Sequence, residues 1–166
     1  MQFSFQHEWF VEWLLLTVFG YDGKNTTFCT GVINCYTSKD GYTHYHFGTR
    51  QLPVFTKLRL LFYNEDGIKV ITKASLENFT AVSLAYLLMC DGYWSENTIY
   101  ICTENFDLVS LKVLVGKLRE LGIVCGYKKR GDGYRIRLSS RGSNIALVRK
   151  LVLPYFHSKM IYKLGL

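Results

Sequence analysis

An almost unbroken apolar run, Leu84-Ala85-Tyr86-Leu87-Leu88-Met89, ends abruptly in Cys90-Asp91-Gly92. No other stretch constrains the fold as tightly. Preceded by Ser83 and a feeder segment from Ser75, it reads as a helix that is apolar round most of its circumference. Such a helix must be covered on most faces. Gly92 stands where a helix can stop in a left-handed C-terminal conformation. Asp91 then sits at the unfavourable end of the helix dipole. Either it is solvated before a turn, or it faces something positive, a metal ion or a lysine.

The surrounding elements follow from periodicity and turn chemistry. Residues 2–6 alternate like a short strand, and residues 8–19 carry Trp9, Phe10, Trp13, Leu14 and Leu16 at helical spacing. Residues 27–37 and 43–49 read as two strands joined by Ser38-Lys39-Asp40-Gly41, whose Asp-Gly is a hairpin signal. Residues 52–62 predict a helix with Pro53 in its first turn, where the missing amide proton costs nothing. Asn64-Glu65-Asp66-Gly67 breaks it. Past the central helix, residues 98–103 are strand-like and residues 108–121 are helical up to Gly122. Residues 123–128 pair with residues 134–138 across Arg130-Gly131-Asp132-Gly133. A helix around residues 144–153, Pro154 and an aromatic-basic tail come last.

Composition narrows the partners. With 49% hydrophobic residues, 166 residues suffice for one compact domain or two half-domains. The net charge is +7, and the basic residues concentrate after position 110, which favours a polyanionic partner. Cys29, Cys35, Cys90, Cys102 and Cys125 show no paired metal-type spacing and read as reduced thiols of an intracellular protein. Met1 leads directly into Gln-Phe-Ser-Phe-Gln-His, so neither a signal nor a transit peptide is expected. The longest candidate membrane span, residues 10–19, is interrupted by Glu12 and falls short of the roughly 20 residues needed. No membrane partner is expected.

The two halves repeat one element order: strand, helix, hairpin, helix. Gly41-Tyr42 with Thr49-Arg50 answers Gly133-Tyr134 with Ser140-Arg141. The helix of residues 75–92 would then be expected to have its counterpart immediately before Met1.

These residues carry a resemblance. Leu84-Ala85-Tyr86 through Asp91-Gly92 resembles the LAGLIDADG helix. Thr103-Glu104-Asn105-Phe106, Gly133-Tyr134-Arg135-Ile136, Val152-Leu153-Pro154-Tyr155 and Met160-Ile161-Tyr162-Lys163-Leu164 look like the motifs that follow it in two-repeat LAGLIDADG homing endonucleases. Phe47-Gly48-Thr49-Arg50-Gln51-Leu52-Pro53 and Leu61-Phe62-Tyr63 are similar to the first half of that family.

The resemblance implies an α+β fold of αββαββα repeats, whose saddle-shaped antiparallel sheets lie along a DNA major groove. The last acid of the helix motif binds a divalent metal in the family, and by position that acid is Asp91, with Mg²⁺ as the expected ion. Cys90 departs from the pattern, standing where these motifs often carry another acid. The family also places lysines near the scissile phosphates, and the matching positions are Lys69, in Lys69-Val70-Ile71-Thr72, and Lys163. Thr72 replaces the usual proline.

For groove contact the residues point to Arg50, Lys128, Lys129, Arg130, Arg135, Arg137 and Arg141. Arg135 and Arg137 share a strand face, while residues 128–130 cap the neighbouring strand near its turn. His44 and His46 share a face with Tyr42 and read as packing or phosphate residues, since no zinc-type ligand spacing surrounds them.

Upstream of Gln2-Phe3-Ser4-Phe5 no room is expected for a first LAGLIDADG helix. Residues 15–23, ending Tyr21-Asp22-Gly23, imitate the motif, but their flanks match the helix that follows the first strand. Residues 1–72 are therefore expected to be an incomplete half-domain and residues 73–166 a complete one. A partner chain or larger assembly is expected to cover an apolar strip of Leu84, Leu87 and Leu88.

Three functions stay open at this point. The chain is a nucleic-acid-binding relative of the endonucleases that is inactive alone; or a Mg²⁺-dependent, site-specific double-strand DNA endonuclease, complemented or dimeric; or an RNA-binding structural or splicing protein, maturase-like or part of an organellar ribosome. Its nucleic-acid partner is accordingly double-stranded DNA or structured RNA. By resemblance the location is a mitochondrion or another organelle.

Overall fold

The computed structural model describes residues 2–21 and 27–166. Asp22 and Gly23, the end of the motif imitation, lie outside them. The chain divides into two compact units, Met1–Arg59 and Leu60–Leu166.

In the first unit, β1 (Gln2–Phe5), α1 (Glu8–Thr17), β2 (Asn34–Thr37) and β3 (Thr43–Gly48) form an antiparallel sheet of order β1-β3-β2, with α1 packed on β1 and β3. Phe10, Val11, Leu14 and Leu15 are the buried residues of α1. They recur at the three- and four-residue steps that bring side chains to one helical face. The turn before Tyr42 forms as expected: Gly41 has φ +82° and Ser38 donates its backbone N–H to Tyr42 O at 2.8 Å. Regular pairing of β2 begins at Asn34, so the strand is shorter than the sequence predicts. Nearer residue 27, the antiparallel bridge Cys29↔Thr49 stands alone. His44 stacks on Tyr36 with ring centroids 5.1 Å apart, and His46 meets the same ring edge-on. The helix α2 (Pro53–Phe62) starts at its proline and spans the division between the units.

The second unit contains α3 (Ala81–Asp91), β4 (Gly92–Ser95), β5 (Thr98–Ile101), α4 (Leu108–Glu120), β6 (Cys125–Arg130), β7 (Gly133–Leu138) and α5 (Asn144–Val152). Its antiparallel sheet has the order β4-β5-β7-β6. The part β5-β7-β6 has the order of β1-β3-β2, so the repeat inferred from element order is present in the topology. The second unit adds α3 and β4 ahead of that set.

The core of the second unit lies between the sheet and its helices. Leu84, Ala85 and Leu88 of α3 meet Ile99 and Ile101 of β5, Leu111, Leu114 and Leu118 of α4, and Val148 of α5 in one cluster. Asp107 caps α4 by accepting from Ser110 N at 2.7 Å. The hydroxyl of Ser110 accepts from Ile71 N at 2.9 Å, and Ile71 is itself in the core. That buried hydrogen bond draws the segment before residue 72 into the second unit.

Two expectations are corrected. Leu84 and Leu88 are fully buried in the chain's own core, with Leu87 packed against it, so they form no exposed strip for a partner. The residues of α3 left outside include Val82, 40% exposed, and Cys90. Gly92 is extended, with φ −84° and ψ 152°, and leads straight into β4 rather than stopping the helix in a left-handed turn. The sequence reading missed β4 altogether. Glu96 and Asn97, both at positive φ, form the two-residue turn to β5 that primed hairpins require, without the usual Asn-Gly signature.

Leu84→Ala is expected to destabilise the protein by about 2–5 kcal/mol, through lost burial and the cavity it leaves. Thermal unfolding measures it. A loss below about 1 kcal/mol would show the site collapsing onto α3. Among the described residues no helix is long and apolar enough to cross a membrane.

Candidate metal site and nucleic-acid interface

Asp91 is the last residue of α3, and its backbone oxygen accepts from Cys102 N at 2.9 Å. Its carboxylate takes no hydrogen bond from the described residues, and burial raises its pKa above the usual carboxylate value while Lys69 and Lys163 pull it back down. Both predicted lysines therefore lie within electrostatic reach of the predicted metal ligand. Cys90 is pushed up to about 11, by burial first and by Asp91 second, so it stays a neutral thiol at neutral pH. The negative charge at this helix end belongs to Asp91 alone of the two.

The C-terminal tail delivers Lys163. Residues Ser158–Leu164 form a 3-10 helix, with Met160 and Leu164 buried. Arg149 of α5 fastens it by donating to Leu164 O at 2.7 and 3.0 Å. From there Lys163 Nζ donates to Met89 O at 2.6 Å, at the negative end of α3. Desolvation lowers the Lys163 pKa, against the pull of Cys90 and Asp91. Lys69 arrives on a short turn: Val70 N bonds Phe62 O, Ile68 N bonds the Asn64 side chain, and Lys69 bridges to Tyr63. Its ammonium lies 5.4 Å from the centre of the Phe106 ring.

A partly desolvated carboxylate at a helix C-terminus, with no hydrogen-bond donor among the described residues, fits a hard divalent cation. Among the described residues no group of three or more His, Cys, Asp or Glu side chains makes a closed cage. Magnesium suits such an open site, since it keeps several waters and takes one or two carboxylates plus phosphate oxygens.

The sheet of the second unit has one face on the core and the other turned outward. Register pairs Tyr93 with Tyr100, Tyr100 and Gly126 with Arg137, and Lys128 with Arg135, placing all of them on the outward face. Tyr93 and Tyr100 stack with centroids 5.2 Å apart. Arg135 lies over Tyr93, and Arg137 and Lys128 lie over Tyr100. Two acids join them. Lys128 donates to Glu96 at 2.5 Å, and Arg135 Nε donates to Glu104. Burial alone would raise the Glu104 carboxyl; its own backbone N–H and Arg135 outweigh that and hold it below the usual range.

The remaining predicted contacts do not gather in one place. Arg130 pairs with Gly133 beside the turn and falls on the outward face by alternation, whereas Lys129 pairs with Tyr134 and takes the opposite face. Arg141 is exposed in the segment after β7. Arg50 belongs to the first unit, where its Nε donates to Cys29 O at 3.3 Å.

The sequence profile of the LAGLIDADG DNA endonuclease family matches residues 1–145. The chain belongs to that family. Among solved structures it is similar to the homing endonuclease I-WcaI bound to its DNA recognition sequence, with a TM-score of 0.82 and 22% identity, over 98% of this chain and 74% of that one. That likeness supports the α+β LAGLIDADG fold expected from the motifs.

Within this LAGLIDADG protein, the sequence reading missed Tyr93, Tyr100, Glu96 and Glu104 as members of the basic face. Glu104 stood in the motif Thr103-Glu104-Asn105-Phe106 without an assigned role. Only the fold brings it to Arg135, thirty-one residues away. Tyr93 had no strand to sit on once β4 was missed.

Proposed function

We propose that this LAGLIDADG protein binds duplex DNA along the outward face of β4–β7 and hydrolyses a phosphodiester beside Asp91. The observation that carries the reading is that Lys163 bonds Met89 O at the end of α3 and, with Lys69, lies within electrostatic reach of Asp91, in a unit whose sheet presents Arg135, Arg137, Lys128 and Arg130. A two-stranded β-ribbon fits the major groove, and arginine reads guanine there. Mg²⁺ held by Asp91 would supply Lewis-acid polarisation of the scissile phosphate. Lys163 and Lys69 place positive charge beside the phosphate oxygens, where it stabilises the charge that develops in the transition state. Lys163 is fixed for that task by its bond to Met89 O.

We infer that a second polypeptide packs beside Asp91 at the end of α3. What supports this is an exposed Asp91 at the end of a helix whose uncovered residues include Val82 and Cys90. Sedimentation with and without duplex is expected to show association. A monomer at micromolar concentration in both conditions removes the partner from the reading.

The test of function is retention and cleavage of duplexes from a randomised pool. Retention is expected to weaken steeply with salt, and cleavage to appear with Mg²⁺ and stop with a chelator. Arg130→Ala should reduce the slope of log affinity against log salt by about one. Salt-insensitive binding would overturn the polyanion reading, and preferential retention of structured RNA would support the structural alternative instead.

A further inference from the structure

The two guanidiniums on β7 are not free in how they present their donors. Arg135 donates Nε to Glu104 and Nη1 to the Tyr93 hydroxyl at 2.8 Å, with the Tyr93 ring 5.2 Å from its central carbon. Arg137 donates Nε to the Tyr100 hydroxyl at 3.0 Å. The Tyr100 hydroxyl in turn donates to Glu96 at 2.5 Å. In each arginine the protein thus occupies the side-on edge, which runs through Nε. The donors left over are the two protons on Nη2 together with one on Nη1 in Arg135 and both in Arg137, from which an end-on pair can be drawn.

Ordering a long side chain on binding costs entropy, and a guanidinium already held by an acid and a tyrosine has met part of that cost. End-on, Nη1 and Nη2 match O6 and N7 of guanine in the major groove. Thymine offers one acceptor there beside a methyl group, and adenine and cytosine each present an amino donor.

We infer that Glu104 and Tyr100 are positioning residues for base specificity. They commit Arg135 and Arg137 to end-on recognition of two guanines separated by one base pair. The spacing follows from geometry: residues two apart on a strand are separated by about 6.8 Å, and two base-pair steps of about 3.4 Å cover the same length when the strand lies along the groove. Tyr93 and Tyr100, stacked beneath the arginines, keep the two readers in register. The inference rests on the duplex-binding reading above.

Sequencing duplexes retained from a randomised pool tests it. The unaltered protein should enrich guanine at two positions one base pair apart, each preferred about tenfold or more. Arg135→Ala should erase the preference at one position and Arg137→Ala at the other. Glu104→Gln should flatten the Arg135 position while non-specific affinity rises, because a negative charge leaves a face that meets phosphates. A merely structural Glu104 would instead lower affinity for every sequence alike. Tyr100→Phe keeps the ring, removes the acceptor and tests the Arg137 position even if Glu104→Gln does not fold. Retention with steep salt dependence but without the paired guanines, or an unchanged preference in Glu104→Gln and Tyr100→Phe, overturns the inference and leaves duplex binding standing. Failure to retain any duplex overturns both.

Discussion

Asp91→Asn is expected to lower cleavage by about a thousandfold or more while duplex binding survives. The amide keeps the shape of the carboxylate and loses the charge that would hold the proposed divalent cation, whose stabilisation of the transition state would be worth several kcal/mol. Binding rests on the sheet face, which the substitution does not touch. The same variant has a stability signature. Burial raises the Asp91 carboxyl, so the folded protein binds that proton more tightly than the unfolded chain does, and ionisation costs stability. The cost is absent below the ordinary value of 3.8, grows as pH rises from there to the raised value, and is complete above it. Metal-free Asp91→Asn should therefore melt above the unaltered protein at pH 7, with the gap closing as pH falls below about 4. Melting curves at the two pH values check this. Undiminished cleavage by Asp91→Asn would remove the residue from the site.

Gly92→Ala is expected to destabilise the second unit by about 3 kcal/mol, the upper part of the usual cost of overpacking. A Cβ at this position would lie 2.4 Å from Leu88 O, 2.9 Å from Leu88 Cα and 3.0 Å from Leu88 C. The obstacle is backbone on the preceding turn of α3, which cannot swing aside as a side chain can. Conformation is not the difficulty, because φ −84° and ψ 152° suit alanine. For a unit of this size the melting temperature should fall by roughly 10 °C or more. Cleavage should fall further than stability alone dictates, since the junction that shifts carries Asp91. Gly116→Ala provides the contrast: it lies inside α4 with nothing within 4 Å of its Cβ. Alanine there should stabilise by up to about 1 kcal/mol. Equal melting temperatures for the two variants would show that crowding at Leu88 does not govern the junction.

Glycine also separates what the repeat means from what it resembles. Gly41 and Gly133 answer each other in the sequence repeat, yet Gly41 lies in the turn before β3, at a positive φ with open space around it. Gly133 is there because a Cβ would meet Glu104 O at 2.5 Å. The equivalence lies in topology, and the requirement for glycine arises differently at each position.

The local elements were legible because local chemistry makes them. Pro53 starts α2, Gly122 follows α4 in a left-handed conformation, and Gly131-Asp132 turns β6 into β7. The period-two alternation that places Arg135 and Arg137 on one face also puts Lys129 opposite Lys128, although the sequence reading grouped those lysines. Motif order led to the family, and position within the motif led to Asp91. Other features depend on residues far apart in the chain. An apolar helix does not reveal which of its leucines its own chain will cover, and α3 turned Leu84 and Leu88 inward because β5, α4 and α5 meet them there. Lys163 reaches Met89 across 74 residues, Lys128 reaches Glu96 across 32, and Arg135 reaches Glu104 across 31. Side-chain hydrogen bonds and burial depend on distances in space, so no pattern of neighbours along the sequence encodes these pairs. The sequence by itself determined most of the elements, their repeat and the acid at the end of α3. Tertiary structure decided which charges stand beside that acid, which arginines are held, and by what.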